Sequence, residues 1–424
     1  MLTYRREVNH PVMPDTRVTA RRATWTRRGW RRGRVMNLSA TLVLATGLSL
    51  TGPASSGATP DANSATIAQA ARNFGDGSGS PGLRISVVNG RRFGIATPVH
   101  VLSFAGPHYK VAIDLARHAV DNGVQTPSSM CRTTRGCVAA VNGDFFNMTP
   151  PGKPDPADTV GGIIRNCVIL HTPQISHQQV DLDSHTVSQD LNWSSTIDVK
   201  GVSVPIDAIN QELPMSYVKV HLALSGTLLY TPAYALKVPA AKGRVTYYFA
   251  HVGSNISPTR INTTAQLELV ATTTRSFKVA PGHIAISATR STALASLTTR
   301  DVAIMSTVSS AGCDNIGGHP ILLDHGIVAP IDPADTFLMK PYARTTIGWT
   351  ASGTTIIMTV DGRDGVSGAT VLQLVALLQS LHVVTAIALD GGNSTTFYAE
   401  GRVLNRPSHG KERPVGTGLL VLKS

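Results

Sequence analysis

The chain has 424 residues, enough to bury a large core, and its 42% hydrophobic and 15% charged residues are ordinary for a globular protein. Its formal net charge of +12 is concentrated near the N-terminus, where ten arginines precede Ala58 and only Glu7 and Asp15 oppose them. The rest of the chain carries +4, which is too small an excess to indicate nucleic-acid binding.

The first 58 residues have the order of parts found in a secretory signal. A basic segment leads into the uncharged residues 38–50, and the small residues Ser56, Gly57 and Ala58 follow. The apolar segment has the length of a signal core and is short for a bilayer span. We therefore predict a basic leader and signal peptide over 1–58, a secreted or cell-wall-associated product, and no stable membrane span after cleavage. An uncleaved anchor is the alternative.

Residues 59–82 are rich in Ala, Ser, Gly and Asp, and this composition predicts a flexible linker. The folded domain is then expected to cover 83–424. Four cysteines suit an oxidising destination, and of the three possible pairings we favour Cys131 with Cys137 and Cys167 with Cys313. Their spacing does not resemble a zinc site, so these disulfides are expected to be structural.

The domain is predicted to be rich in strands. Short alternating or β-branched runs predict strands at 83–88, 99–104, 110–114, 138–141, 218–224, 245–249, 267–271 and 283–287. A short helix is expected at 291–297, and i, i+3, i+4 spacing of apolar residues predicts one well-defined helix near 368–382. The fold class is therefore α+β, with a mixed-sheet scaffold and few helices. The histidines of the middle segment, His171 and His177 among them, lack metal-ligand spacing and are expected at surfaces or turns.

Polar residues follow several of the predicted strands. Asn142 and Asp144 come after the run 138–141, and a loop with four prolines at 148–158 is expected to rim a site. His319 follows a glycine pair, which leaves space around its ring. A lone histidine is more often a structural hydrogen bonder, and that alternative stays open.

The C-terminal quarter places charged residues beside glycines at strand ends. Asp361 and Asp390 each end a predicted strand, and they would share one edge of the sheet if those strands run parallel. With Arg344 and Arg363 they supply two carboxylates and two guanidinium groups. This set suits hydrolysis at a charged sugar derivative, where carboxyl groups act as acid and base and arginine binds phosphate. Surface salt bridges are the alternative interpretation.

Seven pieces of sequence, in this order, resemble the phosphodiester glycosidase domain family over roughly 83–422. They are Asn-Gly-Asp-Phe-Phe at 142–146, Leu-Leu-Tyr-Thr-Pro at 228–232, Gly-Gly-His-Pro-Ile-Leu at 317–322, Arg-Thr-Thr-Ile-Gly at 344–348, Val-Asp-Gly-Arg at 360–363, Leu-Asp-Gly-Gly-Asn-Ser-Thr-Thr at 389–396 and Asn-Arg-Pro-Ser at 405–408.

The resemblance implies hydrolysis of the bond between the anomeric carbon of a sugar and a phosphodiester oxygen. Asp390 is then the candidate acid or base, Asp361 its partner, and Arg344 the phosphate holder. The implied substrate-binding residues are Asn142 (for a sugar hydroxyl), Asp144, His319, Arg363, Gly391, Gly392, Asn393, Ser394 and Thr395. Asn393 stands where the family usually has a third glycine, so ligand approach and activity depend on how this residue is accommodated.

The leading hypothesis is an exported hydrolase that cleaves a sugar-1-phosphodiester or a related cell-surface glycan. A non-catalytic glycan-binding wall protein on the same scaffold is the alternative, and a glycosidase whose aglycone carries no phosphate is a third candidate. The expected partner is a carbohydrate or sugar-phosphate substrate, with no nucleic acid. No cofactor is required by the sequence. Asp144, Asp361 and Asp390 are candidate ligands for a divalent cation, although no spacing demands a metal.

Overall fold

The computed structural model describes residues 82–147, 157–173, 175–211, 226–253, 256–290, 292–363 and 365–424. The predicted leader, the predicted linker up to residue 81 and the predicted strand at 218–224 lie outside these residues. The described part is an α+β fold dominated by strands, as predicted. Its α-helices are α1 (Pro127–Thr133), α2 (Thr336–Met339) and α3 (Val371–Ser380). None of its helices is both apolar enough and long enough to cross a bilayer.

Twenty-five strands are present in the described residues. In chain order they are β1 (Arg84–Val88), β2 (Val99–Phe104), β3 (Tyr109–Leu115), β4 (Cys137–Asn142), β5 (Ile163–Arg165), β6 (Val168–His171), β7 (Gln179–Asp181), β8 (Thr186–Ser188), β9 (Trp193–Val199), β10 (Val202–Pro205), β11 (Ala208–Ile209), β12 (Leu228–Tyr230), β13 (Arg244–Val252), β14 (Thr263–Thr273), β15 (His283–Thr289), β16 (Val302–Ser309), β17 (Asn315–Gly317), β18 (Ile321–Asp324), β19 (Ile327–Val328), β20 (Arg344–Thr350), β21 (Thr355–Val360), β22 (Val383–Ala388), β23 (Phe397–Ala399), β24 (Arg402–Val403) and β25 (Thr417–Lys423).

These strands form four sheets. A seven-stranded sheet has the order β1-β2-β21-β20-β22-β18-β19, and an eight-stranded sheet the order β10-β9-β16-β14-β13-β15-β12-β11. Two five-stranded sheets have the orders β6-β5-β17-β7-β8 and β24-β23-β4-β25-β3. Neighbouring strands are antiparallel except for β11 and β12.

The seven-stranded sheet is buried on both faces. Helix α3 packs one face through Val371, Leu374 and Leu378, which the helical period brings to one side. The other face shares a core with the sheet that contains β4, where Ile347 and Ile387 meet Leu419. Burial on both sides explains why β21 and β22 are continuous apolar runs rather than alternating ones.

Helix α3 is shorter than the predicted 368–382. Thr370 caps its start, accepting from the Gln373 backbone N–H while the Gln373 side chain accepts from the Thr370 N–H. Gly368 has a φ of 122° and lies before the helix. The second short helix, expected at 291–297, is one 3₁₀ turn at Ala293–Ser296.

The topology brings the predicted strand ends to one edge. Strands β21 and β22 both run antiparallel to β20, which lies between them, so they run parallel to each other. Asp361 and Asp390 therefore follow strands that end on the same side, where Arg344 begins β20.

Both favoured disulfides are present: Cys131–Cys137 ties α1 to β4, and Cys167–Cys313 ties the β5–β6 turn to the segment before β17.

Candidate active site

Asn142 fixes the end of β22. Its Nδ2 donates to the backbone oxygen of Asp390 at 2.6 Å, and its Oδ1 accepts from Thr345 Oγ1 at 2.8 Å and from the Thr396 N–H at 3.2 Å. The side chain is fully buried. Its amide is thus occupied by protein groups, unlike the expectation that it binds a sugar hydroxyl. Asn142 holds two strands and the following turn in one arrangement.

Asp390, whose backbone oxygen accepts this hydrogen bond from Asn142, is half-buried. Its Oδ1 accepts from the Gly391 N–H at 2.8 Å, and its side chain is also hydrogen-bonded to Ser394. Burial raises the pKa of Asp390 to about 6, and the charge of Asp144 adds to the rise. Ser394, Arg413 and the Gly391 N–H oppose that rise. A carboxyl with this pKa exchanges protons near neutral pH, as an acid or base catalyst must.

Asp144 pairs with a histidine that the sequence did not single out. Its Oδ1 lies 3.0 Å from His177 Nε2, and its Oδ2 accepts from the Gly161 N–H at 2.8 Å and from Thr159 Oγ1 at 3.3 Å. Burial would lower the pKa of His177, but the Asp144 charge and hydrogen bond raise it above its usual value. The expectation that His177 is a surface or turn residue is wrong, because Asp144 draws its ring into the protein.

His319 lies next to this pair. Its ring centroid is 6.4 Å from that of His177, and its Nδ1 is 3.2 Å from Gln178 Oε1. Burial lowers the pKa of His319, and the neighbouring His177 lowers it further. The two histidines are therefore shifted in opposite directions, and near neutral pH His319 is the neutral ring. This neutral imidazole can accept or relay a proton.

Two glycines make room for the Asp144 carboxylate. A Cβ on Gly161 would lie 2.5 Å from Asp144 Oδ2, and a Cβ on Gly317 would collide with the same oxygen. Each glycine belongs to a different stretch of chain, one before β5 and one at the end of β17. Both are needed because the carboxylate sits directly against their Cα atoms.

Arg413 is a second residue that the sequence did not single out. Its Nη1 donates to Ser394 Oγ at 3.2 Å, and its guanidinium lies 5.2 Å from the centroid of the Phe146 ring. Its charge acts on Asp390. The residue is half-buried and lies two positions after the exposed Lys411, so the sequence gives little sign of its place. Arg413 brings a positive charge to the Asp390 carboxyl.

Arg344 lies at the predicted edge but is turned into the protein. Its Nε donates to the Ala369 carbonyl at 3.0 Å, and its Nη2 donates to the carbonyls of Phe337 and Lys340 at 2.5 and 3.1 Å. Burial lowers the pKa of Arg344 to about 10. With only 2% of its surface exposed, this guanidinium joins α2 and the segment before α3 to β20. This arrangement differs from the expected phosphate-holding role.

Asp361 and Arg363 make their hydrogen bonds with groups other than the Asp390 carboxyl. Both oxygens of Asp361 accept from the Arg406 N–H at 3.1 Å, and His100 Nε2 lies 3.6 Å away. Asp361 thereby anchors the chain at 405–408, where Ser408 reaches the Gly392 carbonyl. Arg363 is exposed in a turn closed by its N–H to the Ser367 carbonyl. The structure brings Asp144, His319, Asp390 and Ser394 together and gives Arg344 and Asp361 supporting contacts.

The turn after Asp390 contains the remaining predicted residues. Gly392 takes a φ of 56°, and a Cβ on Gly391 would lie 2.8 Å from the Ala343 carbonyl oxygen. Asn393, in place of the usual glycine, is not among the residues with positive φ, so it imposes no backbone strain. Its Oδ1 is buried and has no hydrogen-bond partner among the described residues. Thr395 is fully buried beside Thr345.

No group of three or more His, Cys, Asp or Glu suited to a metal ion occurs within the described ranges. Of the three aspartates considered as cation ligands, Asp361 has a different partner from the other two, because its carboxylate accepts from the Arg406 N–H. Most of the proline-rich loop expected to rim the site, residues 148–156, lies outside the described part of the chain.

Comparisons with known proteins agree with this fold. A hypothetical protein from Synechocystis matches with a TM-score of 0.62 and 19% identity, over 82% of this chain and 63% of its own. A putative exported protein from Burkholderia pseudomallei K96243 matches with a TM-score of 0.57 and 18% identity, over 77% and 74% of the two chains. At these identities the likeness concerns the fold alone.

The matching structures and the cluster around Asp390 define an α+β protein with a candidate acid–base site. Residues 252–422 match the model of the phosphodiester glycosidase family. An SPbeta prophage-derived uncharacterized protein from Bacillus subtilis (strain 168) is 40% identical over 81 residues, which is 19% of this chain. The match spans only 13% of that relative's length.

Proposed function

We propose that this protein is an exported hydrolase that cleaves the glycosidic bond of a sugar-1-phosphodiester or a related cell-surface glycan. The observation that carries the proposal is the Asp390 carboxyl, whose pKa of about 6 places its proton exchange in the working range of an acid catalyst. The family match at 252–422 supports the reaction class.

Asp390 is assigned the proton transfer to the leaving oxygen. When the bond between the anomeric carbon and the phosphodiester oxygen breaks, the electron pair stays on that oxygen and positive charge develops on the sugar ring. A protonated Asp390 can supply the proton and is left as a carboxylate near that charge. Water then adds to the anomeric carbon and passes a proton to the Asp390 carboxylate, and the products are a free sugar and a phosphate monoester.

Arg413 is assigned to the phosphate. A phosphodiester carries one negative charge, and a guanidinium matches its oxygens with two parallel donors. Arg413 donates to Ser394, in the turn that follows Asp390, and its charge acts on the Asp390 carboxyl. Arg344 is a poor candidate because its donors serve three backbone carbonyls.

Export is supported by the two disulfides, because such bonds persist in oxidising compartments. One structural neighbour is also described as a putative exported protein. The basic and apolar N-terminal sequence fits a signal for secretion or attachment to the cell wall.

The test is release of free sugar from a sugar-1-phosphodiester and from a matched glycoside without phosphate. The unmodified chain is expected to turn over the first substrate, and Arg413→Ala to reduce that turnover by about tenfold or more. Arg402→Ala, which changes an exposed arginine in the same half of the chain, is the matched control and is expected to retain activity.

Saturable binding of the phosphodiester without release of sugar would contradict the proposed reaction and favour the non-catalytic glycan-binding alternative. Equal loss of both substrates in Arg413→Ala would contradict the phosphate-holding role and favour a glycosidase whose aglycone lacks phosphate.

A further inference from the structure

One end of the eight-stranded sheet carries a concentration of positive charge. The first residue of β13 pairs with the last residue of β15, Arg244 with Thr289, and β14 ends beside them because Thr246 pairs with Thr273. The chain segments 237–244, 273–278 and 289–290 therefore meet at this end. Together they contain six basic residues and no aspartate or glutamate: Lys237, Lys242, Arg244, Arg275, Lys278 and Arg290.

This end also holds a surface cavity of about 330 Å³. Lys242, Arg244, Arg290 and Thr274 are among the residues that line it. Ligand pockets in proteins begin at about this size, and the volume suits a phosphate group with part of an attached sugar or polyol. The cavity belongs to a different sheet from the one that positions Asp390.

Arg244 forms a fixed wall of the cavity. Its Nε donates to Ser287 Oγ at 2.9 Å, its Nη2 donates to the Gly226 carbonyl at 2.7 Å, and only 4% of its surface is exposed. The carboxylate of Asp207 acts on this guanidinium from a distance and itself accepts from the Thr227 N–H. Lys242 and Arg290 are exposed, so two flexible cations border one rigid cation.

A basic face without a concavity would attract counterions only diffusely, and salt would screen it. Here a cavity, an immobilised guanidinium and two exposed cations coincide in segments that contain no carboxylate. We propose that this cavity binds a phosphate group of an anionic polymer, such as a phosphate-linked polysaccharide. The proposal goes beyond the proposed hydrolase function, since binding here requires no cleavage at Asp390. A second contact of this kind would retain a long polyanion on the protein.

The experiment compares three forms of the full chain: the unmodified protein, Lys242→Ser with Arg290→Ser, and Arg91→Ser with Arg135→Ser. The last pair removes two exposed cations elsewhere and so keeps the net charge of the cavity variant. Each form is titrated calorimetrically with linear polyphosphate of defined length and, separately, with inorganic phosphate. All forms keep the basic N-terminal segment, so its contribution cancels in the comparison.

The cavity variant is expected to bind polyphosphate about tenfold more weakly than the unmodified protein, because two charge-assisted contacts are lost. The control variant should stay within about twofold of the unmodified protein. Polyphosphate should also protect backbone amides at 242–246 and 287–290 from hydrogen exchange. Equal weakening in both variants would overturn the proposal, since it would show an effect of net charge alone. Inorganic phosphate binding as tightly as the polymer would overturn the assignment to a polymer.

Discussion

Replacing Asp390 by Asn removes a carboxyl that the folded protein prefers to keep protonated. The pKa of Asp390 is raised from 3.8 to about 6, chiefly by burial. One pKa unit corresponds to about 1.4 kcal/mol, so ionising this group in the folded state costs about 3 kcal/mol relative to the unfolded chain. Asn keeps an oxygen that can accept from the Gly391 N–H, and it has no charge to bury.

The sign of the pH effect follows from proton binding. Between pH 3.8 and about 6 the folded state holds the Asp390 proton while the unfolded state has lost it, so stability falls as pH rises. Below pH 3.8 both states are protonated and the penalty is absent. Above pH 6 the penalty is complete. The advantage of Asp390→Asn over the unmodified protein should therefore grow from near zero at pH 3.5 to as much as about 3 kcal/mol at pH 7.5.

The assay is denaturant unfolding of both proteins across this pH range with the disulfides intact. Only the pH-dependent part of the difference is used, because a constant offset reports altered hydrogen bonds. Sugar release by Asp390→Asn should fall by about 10²–10⁴-fold in the same preparations. A stability difference that does not change between pH 3.5 and 7.5 would refute the raised pKa, and retained turnover would remove Asp390 from the mechanism.

Other substitutions test the supporting contacts. Arg344→Ala should lower the free energy of unfolding by about 3 kcal/mol, because one buried and two partly buried backbone carbonyls lose their donor; Arg363→Ala, measured alongside by denaturant unfolding, should cost under about 0.5 kcal/mol. Gly317→Ala should cost about 1–3 kcal/mol in the same measurement and impair turnover, since its Cβ displaces a carboxylate. Replacing Cys167 and Cys313 by Ser opens a loop with a sequence separation of 146 and should cost about 3–5 kcal/mol, detected as a lower melting temperature.

Much of the site's framework can be predicted from the sequence, because buried strands appear in it as apolar runs. The apolar runs before Asn142, Asp361 and Asp390 each end where a strand ends. A helix with i, i+3, i+4 spacing between two of these strands indicates a crossover, and such a crossover makes the flanking strands parallel. The shared edge follows once β21 and β22 are parallel, as the structure shows them to be.

The roles of the charged residues were harder to infer, because a sequence does not show what occupies a side chain. Arg344 and Arg413 are both single arginines near a glycine-containing motif. The first donates to backbone carbonyls contributed by residues 337–369, and the second reaches Ser394 across a turn. Which arginine remains near the carboxyl depends on tertiary packing. Sequence reasoning therefore found the kind of residue, but it could not show that Arg344 donates to backbone carbonyls while Arg413 lies near the Asp390 carboxyl.

His177 was missed for a related reason. It follows no apolar run and fits no ligand spacing, and its partner Asp144 lies 33 residues earlier. The clue that existed was the pair of glycines at Gly161 and Gly317, where a Cβ would collide with the Asp144 carboxylate and with the Cα of the other glycine. A glycine that makes room for a distant side chain cannot be told from a turn glycine by sequence alone.

The charges of the site suggest how a substrate would couple to proton transfer. Asp144 and His177 form an internally neutral pair, so the charge that a phosphodiester meets is set mainly by Arg413 and Asp390. With Asp390 protonated, the positive charge of Arg413 is unopposed by that carboxyl; with Asp390 ionised, the two offset each other. A bound phosphodiester anion disfavours ionisation of a neighbouring carboxyl. Under the proposed function, substrate therefore raises the pKa of Asp390 further and keeps the proton in place until the glycosidic bond breaks.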